Sequence, residues 1–389
     1  MRLERLLITN YRNLARAEIE LRDGSAAFLG ENAQGKSNLL EAVYMLATMR
    51  SLRAESDAQV IRQEALGEVL PAARIVGEIT TRDGPLKVEV TVMMRPGGNG
   101  ASKTVKVNGV SRRLSGAVGR MMAVLFTAED MEMLTGSPSL RRRYLDVTLS
   151  QVDSQYSASR SRFDRLLTQR NALLKRIREG SARSDELTYW DGELSLHGGI
   201  VIQRRASAVM KIAQLALASQ AELAPGELLD VAYMPSLDIR EAGQVPDSES
   251  LTRLYAIRLA ATLDRDVAAG MTLTGPHRDD VGFALNGFDA ASYASRAQQR
   301  TIALALRLAE ASFLTTERGE PPVLLLDDIL SEMDSSRRET VMSSIGHVDQ
   351  VLVTGTEAER FPREFLNRAT LYAVERGSVQ ALILGQPLA

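Results

Sequence analysis

The stretch Gly30-Glu31-Asn32-Ala33-Gln34-Gly35-Lys36-Ser37 leaves a chain few ways to fold. It fits the pattern G-x-x-x-x-G-K-[ST] in full, and its surroundings fit too. Before it stands the apolar run Ala26-Ala27-Phe28-Leu29, a buried strand ending at Gly30. After it, Leu39, Leu40, Val43, Tyr44, Leu46 and Ala47 recur at helical spacing. A strand, a glycine-rich loop and a helix in that order form a cradle for phosphate. Glycines let the backbone close on the anion, and main-chain N–H groups and the helix N-terminus point at it. Lys36 is placed to reach the β- and γ-phosphates, and Ser37 to hold Mg²⁺. Glu31, Asn32, Ala33, Gln34 and Asn38 complete the candidate nucleotide contacts.

A phosphate loop does not by itself separate kinases, GTPases and motor ATPases. The partner acid narrows the choice. Val323-Leu324-Leu325-Leu326-Asp327-Asp328 is a fully apolar strand ending in two carboxylates. Buried parallel strands read this way, and ligands gather at their carboxyl ends. Asp327 suits the metal shell, and Asp328 suits polarising an attacking water.

Texture divides the remaining chain. Residues 1–30 and 72–110 carry strand signals, including the hairpin turns Asp83-Gly84 and Asn108-Gly109, and Val124-Leu125-Phe126 is a further strand. From about Ser139 the spacing turns helical, over Arg160–Arg178, Leu194–Leu217 and Leu251–Val267. This predicts an all-helical insertion over 141–271 within an α/β protein. Strand texture resumes at Met271-Thr272-Leu273, a helix follows at Gln298–Thr316, and 370–384 reads as a closing hairpin.

Composition closes several doors. The chain has 389 residues and no cysteine, which removes disulfides, thiolate chemistry, zinc fingers and iron–sulfur clusters. Its histidines, His197, His277 and His347, lie far apart. The N-terminus lacks a signal-peptide pattern and no apolar run approaches a membrane span, so a cytoplasmic location without membrane contact is expected. Net charge is −2, yet residues 141–178 hold ten Arg and Lys against three acids. Arg160, Arg162, Arg165, Arg170, Lys175, Arg176 and Arg178 form a candidate DNA-binding face for phosphate backbone. Arg50, Arg53, Lys103 and Lys106 are weaker candidates. Without interleaved aromatics, sequence-independent binding is expected.

Three further segments suggest a class. Ser295-Arg296-Ala297-Gln298-Gln299-Arg300-Thr301 precedes a helix and resembles the signature motif of ABC-type ATPases. Ser331-Glu332-Met333-Asp334 is similar to their D-loop. Thr354 sits where their switch residue, usually His, would be. Asn10-Tyr11-Arg12-Asn13-Leu14, Phe126-Thr127-Ala128-Glu129-Asp130, Gly136-Ser137-Pro138 with Arg141-Arg142-Arg143, and Thr274-Gly275-Pro276-His277-Arg278-Asp279-Asp280 extend the likeness along most of the chain. Together they resemble the RecF family, bacterial recombination-mediator ATPases related to SMC heads.

That resemblance implies an ABC/SMC-type P-loop ATPase head in two parts, 1–140 and 272–389, with the 141–271 lobe as a short arm. It implies ATP and Mg²⁺ as cofactors, with weak DNA-stimulated hydrolysis acting as a switch. Two heads would sandwich two nucleotides, with Ser295 of one copy facing the γ-phosphate held by the other. Arg12, Asn13, Gln298 and Asp334 would join the nucleotide contacts, with Lys36, Asp328, Ser295 and Thr354 catalytic. The homodimer would bind double-stranded DNA at gaps and, with RecO and RecR, help load RecA. Where the family signature has glycine this chain has Ala297. A positive φ there would cost about 1 kcal/mol and weaken dimerisation. The rival readings are a transporter's nucleotide-binding subunit, an SMC-like defence nuclease and a small-molecule kinase. The first lacks a switch His, the second an appended acidic metal site, and the third leaves the signature unexplained.

Overall fold

The computed structural model describes residues 1–21, 24–97, 100–239, 245–332, 335–345 and 348–382. The chain falls into two compact units: Met1–Asp130 with Arg307–Ala389, and Met131–Leu306.

The first unit holds two six-stranded sheets. Strands β1 (Arg2–Tyr11), β2 (Leu14–Glu20) and β3 (Ala26–Leu29) open the chain, and β4 (Ala72–Thr81), β5 (Gly84–Met94), β6 (Ala101–Val107), β7 (Val110–Arg112) and β8 (Ala123–Phe126) follow. One sheet runs β2-β1-β4-β5-β6-β7, with every neighbouring pair antiparallel. Its hairpins turn at Arg82-Asp83, one residue before the Asp83-Gly84 pair read from the sequence, and at Asn108-Gly109 as read.

The second unit adds β9 (Leu229–Met234), β10 (Asp280–Leu285) and β11 (Phe288–Asp289) in a small antiparallel sheet, ordered β11-β10-β9. Helices Pro138–Val152, Ser154–Arg178, Thr188–Leu223, Ser248–Ala261 and Leu263–Ala269 make up most of the rest. Pro138 opens the first of these at a position where the missing N–H costs nothing. Phe163, Leu166, Leu194, Ile202, Leu251, Tyr255 and Leu259 form a core shared by helices Ser154–Arg178, Thr188–Leu223 and Ser248–Ala261. The lobe is therefore not all-helical. In β9, Leu229 and Val231 are buried between exposed neighbours, the period of a half-buried strand. The expected strand at Met271–Leu273 is absent, since Thr272 is held instead by Asn171 and Arg170. The unit also extends past both expected boundaries, because β10 pairs with β9 from within the insertion.

Back in the first unit, β12 (Val323–Leu326), β13 (Val351–Gly355), β14 (Thr370–Glu375) and β15 (Ser378–Ala381) complete the sheet β15-β14-β3-β13-β12-β8. It is parallel except for its last hairpin. Strands β3, β8, β12 and β13 are buried along their whole length, which explains their unbroken apolar runs. Helix Lys36–Thr48 touches strands of both six-stranded sheets and is buried nearly all round.

Candidate nucleotide site

The phosphate loop leaves the end of β3, an inner strand of the parallel sheet. Two glycines are sterically required. A Cβ at Gly30 would meet the Val374 carbonyl oxygen at 2.2 Å. Gly35, the N-cap of helix Lys36–Thr48, has φ 112°, and a Cβ there would meet Asn13 Oδ1 at 2.7 Å. The loop is braced from outside. Asn13 Nδ2 donates to the Gln34 carbonyl (3.1 Å), and Asn38 Nδ2 donates to Asn13 Oδ1 (2.8 Å). The main-chain N–H groups of Arg376 and Gly377 donate to the Gln34 side chain and carbonyl.

Lys36 is 7% exposed, and its Nζ donates to the carbonyls of Gly30 (2.6 Å) and Glu31 (2.8 Å). Burial holds its ammonium below the ordinary lysine range, with Asp328 and Asp327 opposing that shift. Ser37 Oγ donates to Asp327 Oδ1 at 2.7 Å, joining residues 290 positions apart.

Sheet register explains Thr354. Leu326 on β12 pairs with Val353 on β13, so the next residues, Asp327 and Thr354, lie side by side. Thr354 Oγ1 donates to Asp327 Oδ1 (3.0 Å) and accepts from the Asp328 N–H (2.8 Å). At 2% exposure it positions both acids from below. Asp328 has φ 54°, a conformation that non-glycine residues adopt at some cost and that clusters at functional sites. The second oxygen of Asp327 meets Arg53 Nη2 at 3.1 Å. A carboxylate beside a serine hydroxyl is a hard oxygen set that suits Mg²⁺. The loop above it, with one ammonium and a helix N-terminus free of acids in its first turn, suits a triphosphate.

Arg12 stands with Asn13, Asn38 and Arg53 around one pocket beside the loop, and it is also anchored to helix Lys36–Thr48. Its guanidinium makes a two-pronged pair with Glu41 (2.9 and 3.0 Å) and also bonds Ser51 and the Gln59 carbonyl. Burial pushes the Glu41 carboxyl up, but bonds from Arg12 and Ser51 outweigh it and hold it below the usual carboxylate range. Arg12 is thus a brace for helix Lys36–Thr48. Glu41 and Arg53 belong to this centre and were not assigned to it from sequence. No local spacing links Arg53 to an acid 274 residues away.

The signature segment lies in the second unit. Ser295 caps helix Arg296–Arg318: its Oγ accepts the Gln298 N–H (3.3 Å), and Gln298 Oε1 accepts the Ser295 N–H (2.9 Å). Gln298 Nε2 is committed to Glu227 Oε1 at 2.9 Å, while Ser295 is exposed. Ala297 lies in the first turn of that right-handed helix and carries no positive φ, so the expected strain does not arise. Asp334 falls outside the described residues.

The proposed DNA face divides. Arg170 is fully buried, bonded to Asp191 (2.6 Å), Asp266 (2.8 Å) and Thr272 (2.8 Å). It is a core cation, not a DNA contact. Arg160 is paired with Asp146 (3.0 Å) and with Asp164, and Arg162 lies 3.5 Å from Glu193. Arg165, Lys175, Arg176 and Arg178 are exposed on helix Ser154–Arg178. Of the weaker candidates, Lys103 is 2.6 Å from Asp57, and Arg53 is engaged with Asp327. The second family segment is a structural spine. Arg141 pairs in two-pronged fashion with Asp280 (2.6 and 2.9 Å), and Arg142 bonds the Asp279 carbonyl (2.7 Å). Asp279 is buried and accepts from Tyr233 and the Ser236 N–H. Arg205, fully buried, reaches Asp146 (2.6 Å), Tyr156 (3.0 Å) and the Pro276 carbonyl (2.6 Å). In the same segment His277 Nε2 lies 3.0 Å from the Thr272 carbonyl, and the Arg278 N–H donates to the Gly275 carbonyl (2.8 Å).

Among the described residues, no helix is long and apolar enough to cross a membrane. The profile of the RecF/RecN/SMC N terminal domain family matches residues 2–377. The DNA replication and repair protein RecF of Chloroflexus aurantiacus is 39% identical over 394 residues, covering 98% of this chain and 100% of the relative. RecF of Staphylococcus aureus is 35% identical over 382 residues, covering 97% and 100%. The solved structure of the recombination mediator protein RecF with ATP in the RecFOR pathway superposes with a TM-score of 0.87 at 30% identity over 98% of each chain. An Smc head bound to the C-winged helix domain of ScpA shares the fold alone, at 14% identity and a TM-score of 0.51. On likeness that spans nearly its whole length, this chain belongs to the RecF family of ABC/SMC-type ATPase-fold proteins in DNA replication and repair.

Proposed function

We propose that the protein is an ATP-controlled, dimerising DNA-binding protein of recombinational repair. The observation that carries this reading is the hydrogen bond from Ser37 to Asp327, 2.7 Å long, beside a buried Lys36. It joins the two halves of a metal–nucleotide site from opposite ends of the sequence. Lys36 and the loop N–H groups bind the phosphates. Ser37 and Asp327 hold Mg²⁺, which when bound neutralises the triphosphate and polarises its γ-phosphoryl group. Asp328 orients the attacking water and takes its proton. Thr354 holds the Asp327 carboxylate and the Asp328 main chain, and so sets where the two acids stand.

Ser295, exposed at a helix N-terminus, meets the γ-phosphate held by a second copy. Its exposure and its place at the N-terminus of helix Arg296–Arg318 support this arrangement. The closed dimer retains duplex DNA at gaps through Arg165, Lys175, Arg176 and Arg178. Slow hydrolysis, stimulated by DNA, releases it. The reading includes cytoplasmic action with RecO and RecR to load RecA, and its support is the likeness to a recombination mediator of the RecFOR pathway.

The test is sedimentation or light scattering of wild type and Lys36→Arg with and without ATP, Mg²⁺ and gapped DNA. Wild type dimerises and stays on DNA with ATP. Lys36→Arg does neither, and ATP-stimulated DNA binding unchanged in that variant would refute the reading.

A further inference from the structure

Arg53 holds an unusual post. Its Nη2 lies 3.1 Å from Asp327 Oδ2 and 3.6 Å from Glu129 Oε1. The other Asp327 oxygen already takes the hydroxyls of Ser37 and Thr354. Both oxygens of this carboxylate, 7% exposed, are thus engaged, one by two hydroxyls and one by a full positive charge. A buried carboxylate stripped of its counter-charge is costly.

The surroundings let the guanidinium leave. The main chain is tethered: the Arg53 N–H donates to Glu41 Oε1 (3.4 Å), and the Ala54 N–H donates to Ser51 Oγ (2.8 Å). The side chain itself is 41% exposed. Glu129, in the turn Ala128–Met131 directly after β8, is a second acid within reach and is 55% exposed. The backbone is therefore fixed while the charged end has two alternative carboxylates.

We propose that Arg53 is a stand-in for the metal. It occupies Asp327 while no divalent cation is present and transfers to Glu129 when one arrives. This deepens the reading above and rests on Ser37 and Asp327 being the metal pair. A guanidinium and a divalent ion compete for the same oxygen, so Arg53 lowers the site's affinity for bare metal. Metal then enters well only together with a triphosphate, whose oxygens add the missing ligands. Arg53 is a positioning residue that makes loading of metal and nucleotide concerted.

The experiment uses the full chain, Mn²⁺ as probe and no nucleotide, with free Mn²⁺ read by electron paramagnetic resonance. Arg53→Ala binds Mn²⁺ about tenfold or more tightly than wild type. Arg53→Lys, which keeps the charge, stays weak. Thermal unfolding gives a second readout. Without metal, Arg53→Ala melts below wild type and recovers on adding Mn²⁺, whereas wild type barely responds. Asp327→Asn in the Arg53→Ala background removes the gained Mn²⁺ site. Equal Mn²⁺ affinity in wild type and Arg53→Ala, with Asp327→Asn still abolishing loading of Mn²⁺ with ATP, overturns the stand-in role and spares the metal pair. If Asp327→Asn leaves that loading intact, the metal pair itself is wrong and the proposal goes with it.

Discussion

Arg205 in the second unit and Arg53 in the first are both cations held against acids, yet their situations are opposite. Arg205 is fully buried, and Asp146, Tyr156 and the Pro276 carbonyl all face it. Its partners belong to one internal network, in which Asp146 also holds Arg160 and the Tyr156 hydroxyl. Arg53 is two-fifths exposed and rests on a carboxylate shaped for another cation. Lys36 is in the same position, resting on loop carbonyls where phosphate oxygens would take over. A cation with dedicated partners builds the fold, and one on borrowed partners is available for a ligand.

The sharpest way to break this contrast is to remove a dedicated cation. Arg205→Met leaves Asp146 and Asp279 buried without it and should cost about 3–5 kcal/mol in urea unfolding. A loss under 1 kcal/mol would mean that the network is ornamental. Arg170→Met should likewise destabilise while leaving DNA affinity of the folded protein unchanged.

On the same helix, the exposed cations should show the reverse. Replacing Arg165, Lys175, Arg176 and Arg178 together with Ala should leave stability within about 0.5 kcal/mol of wild type. Duplex affinity should fall, with a shallower salt dependence, by roughly one slope unit per lost phosphate contact. An unchanged salt slope in fluorescence anisotropy titrations would move the DNA face elsewhere.

The smallest effect sharpens the comparison at His277. Burial pushes its imidazole from 6.5 down to about 4, helped by Arg278, Arg142 and Arg160, and opposed by its bond to the Thr272 carbonyl. A lowered value means that the unfolded chain binds the extra proton first. The stability contribution is complete above about pH 6.5 and drains away as pH falls toward 4, at about 1 kcal/mol per pH unit. His277→Gln should flatten that slope in urea melts between those limits.

The sequence made the nucleotide half legible because its chemistry is local. Eight consecutive residues specify the phosphate loop, and an unbroken apolar strand announces Asp327 and Asp328. What it hid was everything settled by distant partners. Arg170 and Arg165 look alike in a run of basic residues, but only one points at Asp266 and Asp191. The pair that anchors Arg12, with Glu41 at 2.9 Å, joins residues that no local spacing links. Thr354 lies within β13, and its bonds to the Asp327 carboxylate and the Asp328 N–H follow only from the β12–β13 register. Strand β9 was missed because its six residues sit among helices, although Leu229, Val231 and Tyr233 alternate as a strand should.

Gln34 accepts from Arg376 and Gly377, and Gly30 packs under Val374, so the loop is moulded by residues more than 300 positions downstream. During synthesis, β3 emerges early with both its neighbours, β13 and β14, still unmade. The nascent polypeptide thus lacks these braces on its phosphate loop until translation has passed residue 377.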